Sequence, residues 1–238
     1  MPHNRFFVDQ PLVKNTTLSL PEEEAHHIVK VMRLKQGDIF ELINGQGYLA
    51  QASLLQVNKK TLICSIQEVI FQEKAARRFI IAQSFLKPSS LELLVEKNTE
   101  LGMDELWLFP AFYSDKVTLS SHQEERLHKH LLAAIKQCGR LYLPSIRVFT
   151  NLEEICQEST GFSRFYGDTS PQALPLSHYL VQKPASCLFI VGPEQGFHEK
   201  ELALFEKNSI QGTRLCPHIL RAETASIAAS VLLSHLIL

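Results

Sequence analysis

The 238-residue sequence has almost no net charge: 24 Lys and Arg against 25 Asp and Glu leave −1. A basic excess, which draws a whole protein to a polyanion through counterion release, is therefore missing, and any nucleic-acid surface must be local. A cysteine framework is missing too. The five cysteines, Cys64, Cys138, Cys156, Cys187 and Cys216, are odd in number, widely spaced and without a CxxC pair. That argues against disulfides or a zinc site and for free thiols in a reducing compartment. The histidines lack metal-ligand spacing: His26 and His27 diverge on a helix, and His128 and His130 stand at i, i+2. No metal is expected. There is neither a GxGxxG fingerprint nor a P-loop, no internal repeat and no low-complexity tract. The longest apolar stretch, Ala225 to Leu238, is broken by Ser226, Ser230, Ser234 and His235. It is too short to span a bilayer and reads as a buried terminal helix. Met1-Pro2-His3-Asn4-Arg5 carries no apolar h-region, so the expectation is a cytoplasmic protein with no membrane partner.

What is present is an ordinary globular composition, 45% hydrophobic and 21% charged. The first seventy residues read as β-rich. Runs at Arg5–Val8, Ile39–Ile43, Tyr48–Leu55 and Thr61–Val69 are separated by turn signals at Gly37-Asp38, Asn44-Gly45 and Asn58-Lys59. One helix, about Pro21 to Arg33, places Ala25, Ile28, Val29 and Met32 on a core-facing stripe. A small β-barrel with one packed helix, residues 1–72, fits this pattern. The charged stretch Gln72–Arg78 reads as a linker. Residues 73–238 then alternate strands and helices, the signature of a mostly parallel sheet covered on both faces. The helix His122–Cys138 is expected to start on a capping box of Ser121 and Glu124.

Ligands of open α/β sheets bind beyond the carboxyl ends of the strands. The strand Cys187–Val191 runs into Gly192-Pro193-Glu194-Gln195-Gly196-Phe197, where two glycines permit close backbone approach. A tight strand-to-helix connection and a ligand loop both fit this spacing. A second loop, Leu215 to Thr224, carries Arg221 and Glu223 at the mouth of a small-residue helix. The pair reads either as a cap and salt bridge or as a site in which arginine stabilises an anion. Gln137-Cys138-Gly139-Arg140 closes an amphipathic helix, with Gly139 suited to a left-handed C-cap. Near the N-terminus, Arg5, Phe6, His26, Lys30 and Arg33 combine cations with an aromatic ring. Such a surface suits phosphate contact and base stacking, and a solvated charged face equally explains it.

Taken in order, Arg5-Phe6-Phe7-Val8, His26 to Leu34, Glu96 to Gly102, Gln137 to Arg140, Val191 to Phe197 and Ile219 to Ala225 resemble the motifs of the ribosomal RNA small-subunit methyltransferase E family, within the SPOUT superfamily. The resemblance spans nearly the whole chain. It implies a PUA-like RNA-binding β-barrel followed by an α/β methyltransferase domain with a C-terminal trefoil knot. It also implies a homodimer, S-adenosylmethionine as cofactor, and methylation of N3 of a uridine in the 16S rRNA of the 30S subunit. On this analogy the cofactor meets Val191, Gly192, Pro193, Glu194, Gly196, Leu215, Ile219, Leu220 and Thr224. Arg221 or Arg140 would stabilise charge on the uracil, and Glu223 or Glu100 would take the proton or hold an arginine. A SPOUT ribose 2′-O-methyltransferase and a catalytically inactive rRNA-binding assembly protein are the alternatives. The chain departs from the family pattern at Gln195, Cys216, His218, Lys136 and His198.

Overall fold

The computed structural model describes residues 4–20, 22–26, 28, 32–58, 61–114, 118–182 and 184–236. The chain forms two compact units: Met1–Lys74 together with Leu132–Leu143, and Ala75–Leu131 together with Pro144–Leu238.

In the first unit, β1 (Arg5–Phe7), β2 (Thr17–Leu20), β3 (Ile39–Ile43), β4 (Tyr48–Val57) and β5 (Leu62–Phe71) form one sheet in the order β1-β3-β4-β5-β2. The β1–β3 pairing is parallel and the rest are antiparallel. Alternate residues of the strands point inward, and Phe6, Phe40, Leu42, Leu54, Leu62 and Ile66 make the core. Register shifts at Gln51/Ala52 and Leu54/Gln56 mark bulges, which bend the long β4–β5 ribbon around that core. The expected barrel is therefore an open, curled sheet: among the described residues its edges, β1 and β2, do not pair.

The expected helix begins on cue as α1 (Glu22–His26), and Ala25 and Ile28 are buried. Residues 27 and 29–31 lie outside the described residues. At the other end the expectation fails: Met32 is exposed, and Arg33 has φ +57°, so the helix does not extend to Arg33. The end of α3 (Ser121–Cys138) and the segment after it also belong to this unit. Ile135 and Leu141 pack with Ile43, Phe7 and Leu49, and Lys136 pairs with Glu24 at 2.9 Å. Gly139 takes the left-handed C-cap conformation at φ +90°, as its position requires.

In the second unit, β6 (Arg78–Ser84), β7 (Glu105–Phe109), β8 (Ser145–Val148), β9 (Ser163–Gly167), β10 (Ser186–Val191) and β11 (Gln211–Thr213) form a sheet in the order β11-β9-β10-β6-β7-β8. Every pairing is parallel. The central strands carry apolar runs, Phe79 to Ala82 in β6 and Cys187 to Val191 in β10, as burial on both faces demands, and the single tryptophan, Trp107, is buried in β7. The helices are α2 (Pro88–Glu100), α4 (Leu152–Glu158), α5 (Leu176–Leu180), α6 (Glu199–Lys207) and α7 (Ala222–Ser234). The α3 cap is one residue earlier than expected. Ser120 Oγ accepts from the Gln123 amide (3.4 Å), and Gln123 Oε1 accepts from the Ser120 amide (3.1 Å). After β11, at one edge of the sheet, the chain returns so that α7 packs on β10, β6 and α2 in its interior.

Candidate active site

Because the strands are parallel, the loops after β7, β9, β10 and β11 all leave the same edge of the sheet. The loop after β10 is shaped by its glycines. The Gly196 amide donates to the Pro193 carbonyl (2.9 Å), closing a turn, with Gly196 at φ +80°. Gln195 keeps a negative φ, so a side chain is tolerated there. At Gly192 a Cβ would stand 3.1 Å from the Phe197 ring, which is clamped edge-on against Phe205 (4.9 Å) and Tyr166 (5.8 Å). The loop is thus pinned at its far end by an aromatic anchor. Beside its start, buried Gln83 at the end of β6 donates Nε2 to the Val191 carbonyl (3.5 Å), while its Oε1 has no partner.

The loop after β11 is held only at its base, where the Arg214 amide donates to Leu174 O (3.0 Å) and the Leu176 amide to Arg214 O (3.0 Å). The Cys216 thiol donates to the His218 carbonyl (3.0 Å), so the cysteine that departs from the family pattern braces the turn. Among the described residues, no backbone N–H from Leu215 to Leu220 donates to another backbone carbonyl. In the β10 loop only Gly196 does so within Gly192–Phe197. Two loops at the same edge, flanking the β9 loop, therefore offer backbone donors with no internal backbone partner, an arrangement suited to a polar ligand.

Arg221 occupies the N-cap position of α7 with no side-chain cap, and neither Arg221 nor Glu223 forms an ion pair among the described residues. Of the two readings open at that position, the structural cap and salt bridge is not the one seen. Arg221 and Thr224 are exposed and Glu223 is half-buried. Val191 and Pro193 are buried, Gly192, Leu215 and Leu220 half-buried, Glu194 and Gly196 exposed, and Ile219 is 81% exposed.

Glu100 is not gathered here. Glu100 sits in the last turn of α2, which leads back to the amino end of β7, and it pairs with Lys97 (2.9 Å). Lys97 also bonds Glu96 (2.6 Å); these contacts raise the lysine pKa and lower that of Glu96. Arg140 belongs to the first unit, as do the expected RNA-binding residues. Two of those are turned inward. Phe6 is 1% exposed and packs edge-on against Phe40, and the Arg5 guanidinium pairs with Glu41 at 2.7 Å. Strand alternation puts Phe6 in the core, and the salt bridge then holds Arg5 against β3. Arg33 is exposed; Lys30 lies outside the described residues, as does the side chain of His26.

Three features of this edge escape motif reading. The β9 loop lies between the other two, and there Asp168 Oδ1 accepts from the Ser170 amide (2.8 Å). Burial and the Asp168 charge push the Tyr166 pKa up. Glu201, 9% exposed, ties the β7 loop to α6: it accepts from the Phe112 amide (3.0 Å) and the His198 amide (2.8 Å). His198, one of the departures from the family pattern, accepts from the Lys200 amide through Nδ1 (3.1 Å), completing a capping box with Glu201. Only the glutamate three residues after the cap carried any sequence signal for it.

The family model of the RNA methyltransferase domain matches residues 73–234, and that of the RNA methyltransferase PUA domain matches residues 20–67. The ribosomal RNA small subunit methyltransferase E of Bacillus subtilis is 28% identical over 247 aligned positions, covering 97% of this chain and 96% of the relative. The enzyme of the same name from Neisseria gonorrhoeae, solved bound to S-adenosyl methionine, superposes with a TM-score of 0.86 at 22% identity, covering 99% of this chain and 98% of the other. A predicted RNA methyltransferase from Thermotoga maritima superposes at 0.75 with 26% identity, covering 98% of both chains. With the model matching more than half of its length, over the sheet and both loops just described, the chain belongs to the RNA methyltransferase domain family.

Proposed function

We propose that this chain moves the methyl group of S-adenosylmethionine to N3 of a uridine in 16S rRNA. The observation that carries the reading is the pair of loops after β10 and β11, whose backbone donors lack internal backbone partners and which open beside Arg221, a helix N-cap residue with no ion pair among the described residues. The names of the full-length relatives support the substrate, and the cofactor in the Neisseria structure supports the methyl donor.

The residues fit the cofactor. A methionine carboxylate and an adenine edge both need hydrogen-bond partners, and the Leu215–Leu220 amides and Gln83 Oε1 are available to supply them. Gly192 and Gly196 keep the β10 loop bare enough for close approach. When bound, the cofactor supplies an electrophilic methyl group on a sulfonium. N3 of uridine is a poor nucleophile until its proton leaves, and the uracil then carries negative charge. Arg221 is positioned to stabilise that charge, and Glu223, one turn-start away on the same helix, to accept the proton or hold the arginine. Residues 1–72 serve as the RNA-docking domain and 73–238 as the methyltransferase domain. Two chains form the working homodimer on the 30S subunit. The return of α7 from the sheet edge to its interior is what a C-terminal trefoil knot requires.

Calorimetry with S-adenosylmethionine and single-turnover methyl transfer to 30S subunits test the reading together. Saturable 1:1 cofactor binding and methyl incorporation into 16S rRNA are expected. A chain that binds no cofactor and transfers no methyl group overturns it.

A further inference from the structure

At the carboxyl edge of the parallel sheet, the β7 loop presents Phe112, 57% exposed, and Tyr113, 41% exposed, next to His198 at the start of α6. The Phe112 and His198 rings stack at 3.8 Å and 25°, and Tyr113 stands edge-on to Phe112 (5.1 Å) and close to His198 (5.6 Å). The group is built, not incidental. The buried Glu201 carboxylate holds the Phe112 and His198 amides together, and the His198 ring is fixed by accepting from the Lys200 amide. His198 directly follows Phe197, the anchor of the β10 loop, so the aromatic group borders the candidate active site.

We propose that Phe112, Tyr113 and His198 form a stacking platform for an unpaired base of the RNA substrate, flanking the nucleotide to be methylated. The inference rests on the methyltransferase reading. Aromatic faces of this kind bind single-stranded bases without regard to sequence, and a rigid platform loses little entropy when a base lands on it. Among the described residues the ring contacts of Phe112 and Tyr113 are with one another and with His198, which leaves both rings substantially exposed and not buried in the core. A preorganised aromatic surface beside a methyl-transfer site holds the strand so that one nucleotide is presented in line.

The test is fluorescence anisotropy of a short single-stranded RNA carrying the methylation-site sequence, on wild type and on the double variant Phe112→Ala/Tyr113→Ala. Single-turnover kinetics on 30S subunits, calorimetry with S-adenosylmethionine and sedimentation accompany it. About tenfold or greater loss of RNA affinity is expected, with cofactor affinity and oligomeric state unchanged and with recovery in Phe112→Trp. Unchanged RNA affinity overturns the platform even if the wild type methylates 30S subunits as proposed. A changed oligomeric state also overturns it, assigning the rings to a second copy of the chain. If the wild type transfers no methyl group, the methyltransferase reading fails, and the anisotropy still decides whether the rings hold RNA.

Discussion

In the proposed mechanism Arg221 is the residue on which the chemistry turns. It stands at a helix start with neither a side-chain cap bond nor an ion pair among the described residues. Replacing a single preorganised donor at a developing anion costs about 10² to 10³ in rate. Arg221→Ala should therefore lower the single-turnover rate about a hundredfold while calorimetry finds cofactor affinity little changed; a rate within twofold of wild type would remove Arg221 from the mechanism. The cysteines divide by burial. Desolvation pushes the thiols of Cys64 and Cys156 up to about 11 and that of Cys187 up to about 12. Iodoacetamide should label exposed Cys138 and half-buried Cys216 in the native protein and leave these three intact until it unfolds. The same shifts carry a sign. Thiol pKa values raised in the folded state favour folding below pH 9, the ordinary thiol value, and that contribution is lost as pH rises from 9 toward 11 and 12. Urea midpoints followed by Trp107 fluorescence should fall across that window.

The elements were legible wherever periodicity was strong, and misread where tertiary packing decided. The central strands of the parallel sheet hold apolar runs, and β10 matches its expected position to within a residue. Short α4 and α5, and edge strand β2, carry too few residues to show a period, and sequence reading passes over them. The α3 cap was displaced because Ser120-Ser121 offers two candidate caps, and only the reciprocal Gln123 bond selects the first. Ser120→Ala should consequently cost about 1 kcal/mol in the urea midpoint, against a near-neutral Ser121→Ala. The site loops were found by motif, but their shape follows from packing that no motif records. Gly192 suits its position because a Cβ there would press on the Phe197 ring at 3.1 Å. Gly192→Ala should displace that anchor and weaken S-adenosylmethionine binding, whereas Gln195→Ala, at an exposed position, should not; equal affinities in calorimetry would deny the anchor its role. Arg5 and Phe6 show the opposite failure, since a cation beside an aromatic reads as a nucleic-acid surface until strand alternation buries Phe6 and the ion pair with Glu41 ties Arg5 down.

For the molecule as a whole, near-zero net charge and membership in an RNA methyltransferase family are compatible because binding need only be local. Exposed Arg33 on the first unit and the aromatic edge of the second are the surfaces that mutagenesis should address first. The architecture alone does not name the atom that receives the methyl group, since a parallel-sheet methyltransferase can modify a base or a ribose. The proposed role of Arg221, stabilising a deprotonated uracil, favours N3. The decisive measurement is mass spectrometry of nuclease-digested 16S rRNA after incubation of unmethylated 30S subunits with this protein and S-adenosylmethionine. The account predicts one methyl group on the base of a single uridine, at N3, absent with Arg221→Ala. A methyl group on a ribose 2′-oxygen, or none on either 30S subunits or naked rRNA, would contradict it.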